Sequence, residues 1–474
     1  MPVRHISSTL GALVILAGFL IVGVASVGTA VPAISSVGRA AGTPSLSLSR
    51  RTGPPTTRVT VKGAGFGARE TVAVDFGSVQ VATATTSSTG SFSIPFRVPA
   101  SARPGNHTVK ATGTTSERAA SAKFLVRTNW AKFRFGLSNT GFNRYENVLS
   151  ASNVSRLTKA WSFKTGNFVF SSPAVVNGVV YVGSEDDNLY ALNATNGAKL
   201  WTFTTPGNVI ESSPAVARGV VYIGAEDGNV YALNAATGAE LWQFTTAFRI
   251  DSSPAVAKGV VYIGSGDSNV YALKASTGAK LWKFSTGGEF SSSPAVANGV
   301  VYIGGGDSRL YALNASTGAK LWRVPAGNIV GTTPAVANGV VYIGSLNKNV
   351  YAFKATTGAK LWKFTTGNAV VSTPAVANGV AYVGSNDHNV YALNATTGAK
   401  LWSFSAGGQF SSSPAVANGV VYIGSFDHNV YALNATTGAK LWSYTTGNFV
   451  GSSPAVANGV VYVGSFDGNV YAFR

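Results

Sequence analysis

The sequence predicts an all-β protein, an eight-bladed β-propeller preceded by a small β-sandwich. Three observations carry this. A block of about 40 residues repeats from residue 157 to the C-terminus. Each copy holds four short strand-like runs divided by turn residues. Ahead of the repeats, a segment of different composition holds seven short alternating runs.

The repeat is read from its landmarks. The prolines of SSPAV or TTPAV fall at Pro173, Pro214, Pro254, Pro294, Pro334, Pro374, Pro414 and Pro454. The tryptophans of KLWxF fall at Trp161, Trp201, Trp242, Trp282, Trp322, Trp362, Trp402 and Trp442. A fixed period of this length means one supersecondary unit stacked many times. Its runs SPAVA, VVYIG, VYALN and KLWxF read as strands, with Asn-Gly, Asp-x-Asn and Thr-Gly as the turns between them. Four strands in about 40 residues make a propeller blade. VVYIG is continuously apolar and needs both faces covered, which stacked blades provide. No helical period of 3.6 is present, which excludes a helical solenoid.

The blade count follows from phase. The chain ends at Tyr471-Ala472-Phe473-Arg474, the third strand of a blade, while a Trp strand at Leu157–Phe163 precedes the first SPAV strand. That early strand is expected to complete the last blade. Eight blades then close with no open edge, and unpaired edges are a liability.

The stretch YALNATTGAKLW, with its Ala-x-x-x-Thr-Gly-x-x-x-Trp pattern, resembles the tryptophan-docking repeat of pyrroloquinoline-quinone (PQQ)-type propellers. The lead-in Trp130-Ala131-Lys132-Phe133-Arg134, followed by SNTGFNRYENVLSASNVSRLTKAW, is similar to the segment before the first blade in that superfamily. The resemblance covers residues 128–474. It implies that each tryptophan docks between neighbouring blades, a structural role. The repeat's usual Asp after Ala-Leu is Asn or Lys here, as at Asn193 and Lys274.

The family holds PQQ-dependent dehydrogenases and non-catalytic scaffolds of the BamB type. The dehydrogenases commonly place a vicinal disulfide beside the quinone, and this chain has no cysteine. They also carry long insertions between blades. Here the only length change is one residue near Pro206-Gly207. A quinone site needs a calcium held by several oxygens and a catalytic carboxylate, and no insertion is present to build one. The expectation is therefore no enzyme, no catalytic residue, no metal and no cofactor, with PQQ plus calcium as the minor alternative. Without cysteine there is no lipobox.

The N-terminus and the following segment point outside the cytoplasm. Arg4 and His5 precede an apolar core from Leu10 to Val27. Residues 1–33 read as an export signal with cleavage after Ala30 or Ala33, or as an uncleaved anchor. Membrane contact is expected only through this segment, if it is retained. Residues 44–127 carry the runs SLSLS, RVTVK, TVAVDF, VQVATA, SFSIPFRV, HTVKAT and AKFLV. Seven strands in this length argue a small β-sandwich. VTVKGAGFGARETVAVDF resembles the bacterial Ig-like domains of exported proteins, which implies a spacer or adhesion module.

Charge is uneven. Residues 1–127 hold 13 Lys+Arg against 3 Asp+Glu, and residues 128–474 hold 23 against 15. The excess in the sandwich suits anionic cell-wall polymer or lipid headgroups. No nucleic-acid-binding module is recognised, so nucleic acid is not an expected partner. The repeated turn aspartates, such as Asp267 and Asp387, are read as Asx-turn residues rather than calcium ligands. His388 and His428 occupy equivalent turns of adjacent blades, and two histidines make a poor zinc site. Their turns are expected on the face opposite the variable loops described next.

Specificity is sought where near-identical copies differ. The loop from the Trp strand to the next SPAV strand holds Phe170, Glu211, Asp251, Ser291, Gly331, Val371, Ser411 and Gly451 just before the Ser-Ser-Pro position. Two positions earlier stand Phe168, Val209, Arg249, Glu289, Ile329, Ala369, Gln409 and Phe449. Loops on a rigid scaffold are where recognition sits. Phe168, Glu211, Arg249, Asp251, Glu289 and Gln409 are the candidate binding residues. The function expected is a non-catalytic exported scaffold or binding protein at the cell surface or envelope. It is expected as a monomer, its partner an envelope or extracellular protein or a cell-wall polymer. Alternatives are a carbohydrate-binding protein and a PQQ dehydrogenase.

Overall fold

The computed structural model describes residues 42–474 apart from Asn208, Ile329 and Val330. The export segment expected over residues 1–33 lies outside the described residues. Among the described residues no helix is long and apolar enough to cross a membrane.

All seven alternating runs of the N-terminal segment are strands. Ser45–Leu48, Arg58–Ala64 and Phe92–Arg97 form one sheet. Ala119–Val126, Gly105–Gly113, Thr71–Phe76 and Val79–Thr85 lie in the other, edged by the short strand Thr52–Gly53. That two-residue strand has no alternation to reveal it. In Arg58–Ala64 the period of two puts Val59, Val61 and Gly63 inside. Val72, Val74, Phe76, Phe96, Val109 and Phe124 meet them in one core.

Eight blade sheets follow among the described residues, seven of four strands and one of five. Blade 1 is Ala174–Val176, Val179–Gly183, Asn188–Asn193 and Lys199–Thr204, from the inside outward. Blades 2 to 7 repeat it, with inner strands starting at Ala215, Ala255, Ala295, Ala335, Ala375 and Ala415. Blade 8 is Ala455–Ala457, Val460–Gly464 and Asn469–Phe473, completed by Lys159–Lys164 pairing antiparallel with Asn469–Phe473. The inner strand of blade 8 touches that of blade 1, so the ring is closed. VVYIG is buried on both faces, as its unbroken apolarity demands. The outer strand carries a bulge: Ala191 faces Trp201 but Leu192 faces Lys199. The skipped Leu200 is 51% exposed.

The seams explain the tryptophans. Tyr181 and Trp201 pack with ring centroids 5.8 Å apart. Both donate to the carbonyl of Ala235 in blade 2, at 2.9 and 3.1 Å. The glycine of the Thr-Gly turn sits beneath the preceding tryptophan. At Gly238 (φ +75) a Cβ would lie 2.7 Å from Trp201 Cε3, so both the backbone and the space require glycine.

The lead-in is a belt across one end of the ring. Trp130 exchanges 2.8 Å hydrogen bonds with Val175. The valine amides of later inner strands then donate to it in turn. Val216 bonds the Ala131 carbonyl at 2.7 Å, Val296 bonds Leu137 at 2.7 Å, Val336 bonds Ser138 at 2.8 Å, Val376 bonds Thr140 at 2.9 Å and Val416 bonds Gly141 at 2.7 Å. Phe142–Asn143 adds a short parallel strand to blade 7. Lys132 and Arg134 are buried by this crossing, with 5% and 1% of their surface exposed. Lys132 Nζ donates to Phe133 O and Asn139 Oδ1, and Arg134 Nη1 donates to Pro414 O. Burial, then the charge of Arg134, pushes the Lys132 ammonium down to about 7.

Candidate functional site

A four-stranded blade alternates direction, so two classes of connection share each face. The turn between the second and third strands lies with the loop that leads to the next blade. Asp267 shows this directly. Its Oδ1 accepts from Asn269 N at 3.0 Å within the turn, and its Oδ2 accepts from Ala247 N of the preceding loop at 3.1 Å. Asp186, Asp387, Asp427 and Asp467 tie their turns to loops in the same way, and the bond within the turn is the Asx-turn role expected of them.

This geometry corrects one expectation. The turns of His388 and His428 lie on the same face as the variable loops, not on the opposite one. His388 O accepts from Ala406 N at 3.0 Å, and the His428 ring meets Phe449 edge-on at 5.2 Å. The Asn-Gly and Thr-Gly turns occupy the other face.

On the loop face the axis opens as a funnel. Its throat is a ring of hydroxyls. The amide of Ser172 donates to Ser213 Oγ, Ser213 to Ser253, Ser253 to Ser293 and Ser293 to Thr333. Thr373 donates to Ser413, Ser413 to Ser453, and Ser453 back to Ser172. Phe133 of the belt forms the floor. The wall above carries Phe170, Glu211, Asp251, Ser291, Gly331, Val371, Ser411 and Gly451. These are the residues that the sequence contrast placed just before Ser-Ser-Pro. The cavity measures about 230 Å³.

The wall has two unlike sectors. One is acidic. A carboxylate oxygen from each of Glu211, Glu226 and Asp251 lies within 4.8 Å of the others. Arg249 Nε is 3.4 Å from Asp251 Oδ2, which also accepts from Ser291 Oγ at 3.3 Å. Asp251 Oδ1 is buried with no hydrogen-bond partner. Burial raises the Glu211 carboxyl to about 7; Asp251, Glu226 and Glu185 add to the rise and Arg249 opposes it. Glu185, Glu226 and Asp251 are also raised, each by burial first.

The other sector is aromatic. Phe168 stacks on Phe466 at 5.3 Å, and Phe426 stacks on Phe449 at 4.9 Å. Phe466 bridges the two pairs, 5.8 Å from Phe170 and 6.1 Å from Phe426. Phe168, Phe170 and Phe449 remain 38–40% exposed. The sectors meet where Glu185 N donates to Phe168 O at 2.9 Å.

Of the candidate residues, Glu211, Arg249 and Asp251 come together. Phe168 stands in the neighbouring aromatic sector. Glu289 is exposed beyond the acidic group, its carbonyl accepting from Gly306 N at 2.7 Å. Gln409 is half-buried and contributes its carbonyl to Phe426 N at 2.9 Å. Sequence reasoning missed Glu185, Glu226, Phe426 and Phe466. They precede the aspartate of the Asp-x-Asn turn, a position that varies between copies as strongly as the loop does.

An oxygen-only trio suits a hard cation. Among the described residues Arg249 is the one cation seen against these acids.

Comparison with known proteins follows the same two parts. Residues 45–125 match the IPT/TIG domain family. Residues 146–248 and 386–474 match the family described as outer membrane protein assembly factor BamB. Residues 210–420 match the β-propeller of the beta-alanine-activating enzyme. No curated protein matches the chain in sequence. Among solved structures, BamB from Moraxella catarrhalis is similar at 22% identity, covering 67% of this chain and 99% of that one, with a TM-score of 0.59. A quinohemoprotein alcohol dehydrogenase from Comamonas testosteroni shares 18% identity over 73% of this chain and 80% of its own, with a TM-score of 0.64. A europium-containing methanol dehydrogenase shares 17% identity over 73% of this chain and 98% of its own, also with a TM-score of 0.64. At these identities the likeness is one of fold. The chain is a β-propeller repeat protein with an N-terminal Ig-like domain, and its propeller is similar to the BamB family over residues 146–248 and 386–474.

Proposed function

We propose that the protein is a non-catalytic, exported binding scaffold of the cell envelope, which holds a partner on the funnel face of its propeller. The observation that carries this reading is the contrast within the ring. Seams, turns and throat repeat from blade to blade, whereas side chains around the funnel mouth vary between copies. Packing accounts for the repeated residues and leaves the mouth free for recognition. The BamB-family match supports an envelope setting, and the acid-rich wall argues against a bound quinone carboxylate.

The test has two arms. Protein incubated with PQQ and calcium is expected to show no substrate-dependent dye reduction above a protein-free control. In the second arm, Glu211, Arg249, Asp251 and Glu289 are replaced together by Ser, and capture of partners from an envelope extract is compared with the parent chain. Capture is expected to fall while the melting temperature stays within a few degrees. Retained capture, or clear dye reduction, overturns the reading.

A further inference from the structure

We propose that the funnel face takes an extended peptide segment of another protein in which a Lys or Arg side chain stands next to an apolar one. The cationic group enters the acidic sector at Glu211, Glu226 and Asp251, and the apolar group lies on Phe168, Phe170 and Phe466. This rests on the funnel face being the partner-binding surface.

The frame makes the asymmetry meaningful. Eight nearly identical blades would give a uniform mouth. Instead the phenylalanines gather on blades 7, 8 and 1, and the carboxylates on the adjoining blades 1 to 3. Phe170, Glu211 and Asp251 line one cavity, so a single ligand reaches both sectors. Partly exposed, stacked phenylalanines keep apolar surface in water and gain on being covered.

Charge selects the sign of the ligand. Three carboxylates crowd within 4.8 Å, with Arg249 3.4 Å from only one of them. A second cation relieves the mutual repulsion that adds to burial in raising Glu211. The whole disc is polarised in the same sense. The turn aspartates, bonded to the loops, add negative charge to the funnel face. The opposite face carries Arg218 and Lys258 in its Asn-Gly-type turns and a lysine at the start of most outer strands, such as Lys199, Lys280 and Lys360. Such a field steers a basic segment toward the funnel and repels an acidic one. A lone metal ion or small amine would satisfy the carboxylates but leave the phenylalanines uncovered.

The test uses the full chain and fluorescein-labelled peptides read by anisotropy at pH 8. The probes are Gly-Phe-Lys-Phe-Gly, the same peptide with Gln for Lys, with Ser for both Phe, and with Glu for Lys. The Lys-Phe peptide is expected to bind, and each altered peptide to bind at least about tenfold more weakly. In the protein, Glu211→Gln with Asp251→Asn is expected to weaken the Lys-Phe peptide by a similar factor while leaving the Gln peptide unchanged. Phe168→Ser is expected to weaken both. Melting curves confirm that the variants fold. Binding of the Glu peptide as tight as the Lys peptide, or indifference to the Glu211/Asp251 change, overturns the proposal. So does a failure of all four peptides to bind. If envelope capture still depends on the funnel residues in that case, only the peptide assignment fails. If capture is independent of them as well, the binding-face reading fails with it.

Discussion

Trp442 donates its indole N–H to the carbonyl of Leu157 at 2.9 Å, at the one seam where the repeat's usual acceptor is missing. Elsewhere a tyrosine and a tryptophan share an alanine carbonyl of the next blade. Tyr382 and Trp402 share Ala435, and Tyr462 and Trp161 share Ala194. Blade 8 borrows its outer strand from the lead-in, so it has no Thr-Gly turn to supply that alanine. Leu157, just before the borrowed strand, takes its place for the tryptophan. The tyrosine is left behind: Tyr422 Oη is buried with no hydrogen-bond partner.

This seam distinguishes two substitutions of the same kind. Tyr382→Phe removes a hydrogen bond to Ala435 and is expected to cost about 1 kcal/mol. Tyr422→Phe removes a buried hydroxyl that bonds to nothing, and is expected to be neutral or stabilising. Chemical denaturation of both variants measures the difference. Equal losses would mean that Tyr422 has an acceptor in solution.

Closure through the borrowed strand makes a second expectation. Deleting residues 128–163 removes the belt and leaves the edge of Asn469–Phe473 unpaired. The truncated protein is expected to aggregate or to melt without cooperativity, as read by light scattering and calorimetry. A monomer with the parent's transition would show that the borrowed strand is dispensable.

The belt also sets a pH dependence. Lys132 is depressed to about 7 in the folded chain, well below its ordinary value of 10.5. Between those values the unfolded chain holds the proton and the folded chain does not, so this group makes stability rise with pH. Lys132→Met is expected to flatten the rise in denaturation midpoint between pH 7 and pH 9. An unchanged slope would place that lysine in contact with water.

Legibility in the sequence followed repetition. Pro173 and its seven equivalents, and Trp161 with its own, marked the blade because eight copies state them, while the seam role of the tryptophans came with the family resemblance. The phase of Trp161 against Pro173 revealed the borrowed strand. The belt occurs once, so nothing in Lys132 or Arg134 shows that they are buried; Pro414, which receives Arg134, lies 280 residues away. In the funnel, the loop contrast found Glu211 and Asp251. It passed over Glu226 and Phe466 because it compared only one of the two connections on that face. The same omission misplaced His388 and His428, although strand parity alone puts the second turn and the outgoing loop together.

The acidic sector supplies the last expectation, opposite in sign to that of Lys132. Glu211 is raised to about 7 from an ordinary 4.5. Between these values the folded chain binds the proton more tightly than the unfolded chain, so stability from this group is complete at low pH and is lost as pH rises through 7. Glu185, Glu226 and Asp251 are raised as well and act in the same direction, while Arg249 opposes the rise at Glu226 and Asp251. Glu211→Gln keeps the shape and removes the charge. The variant is therefore expected to match the parent near pH 4.5 and to melt higher at pH 8, with most of the gain appearing between pH 4.5 and 7. Calorimetry across that range checks it. A variant less stable than the parent at pH 8 would mean that a cation already pairs with Glu211 in solution, and a chelator added to the parent would then lower its melting temperature if that cation is a metal.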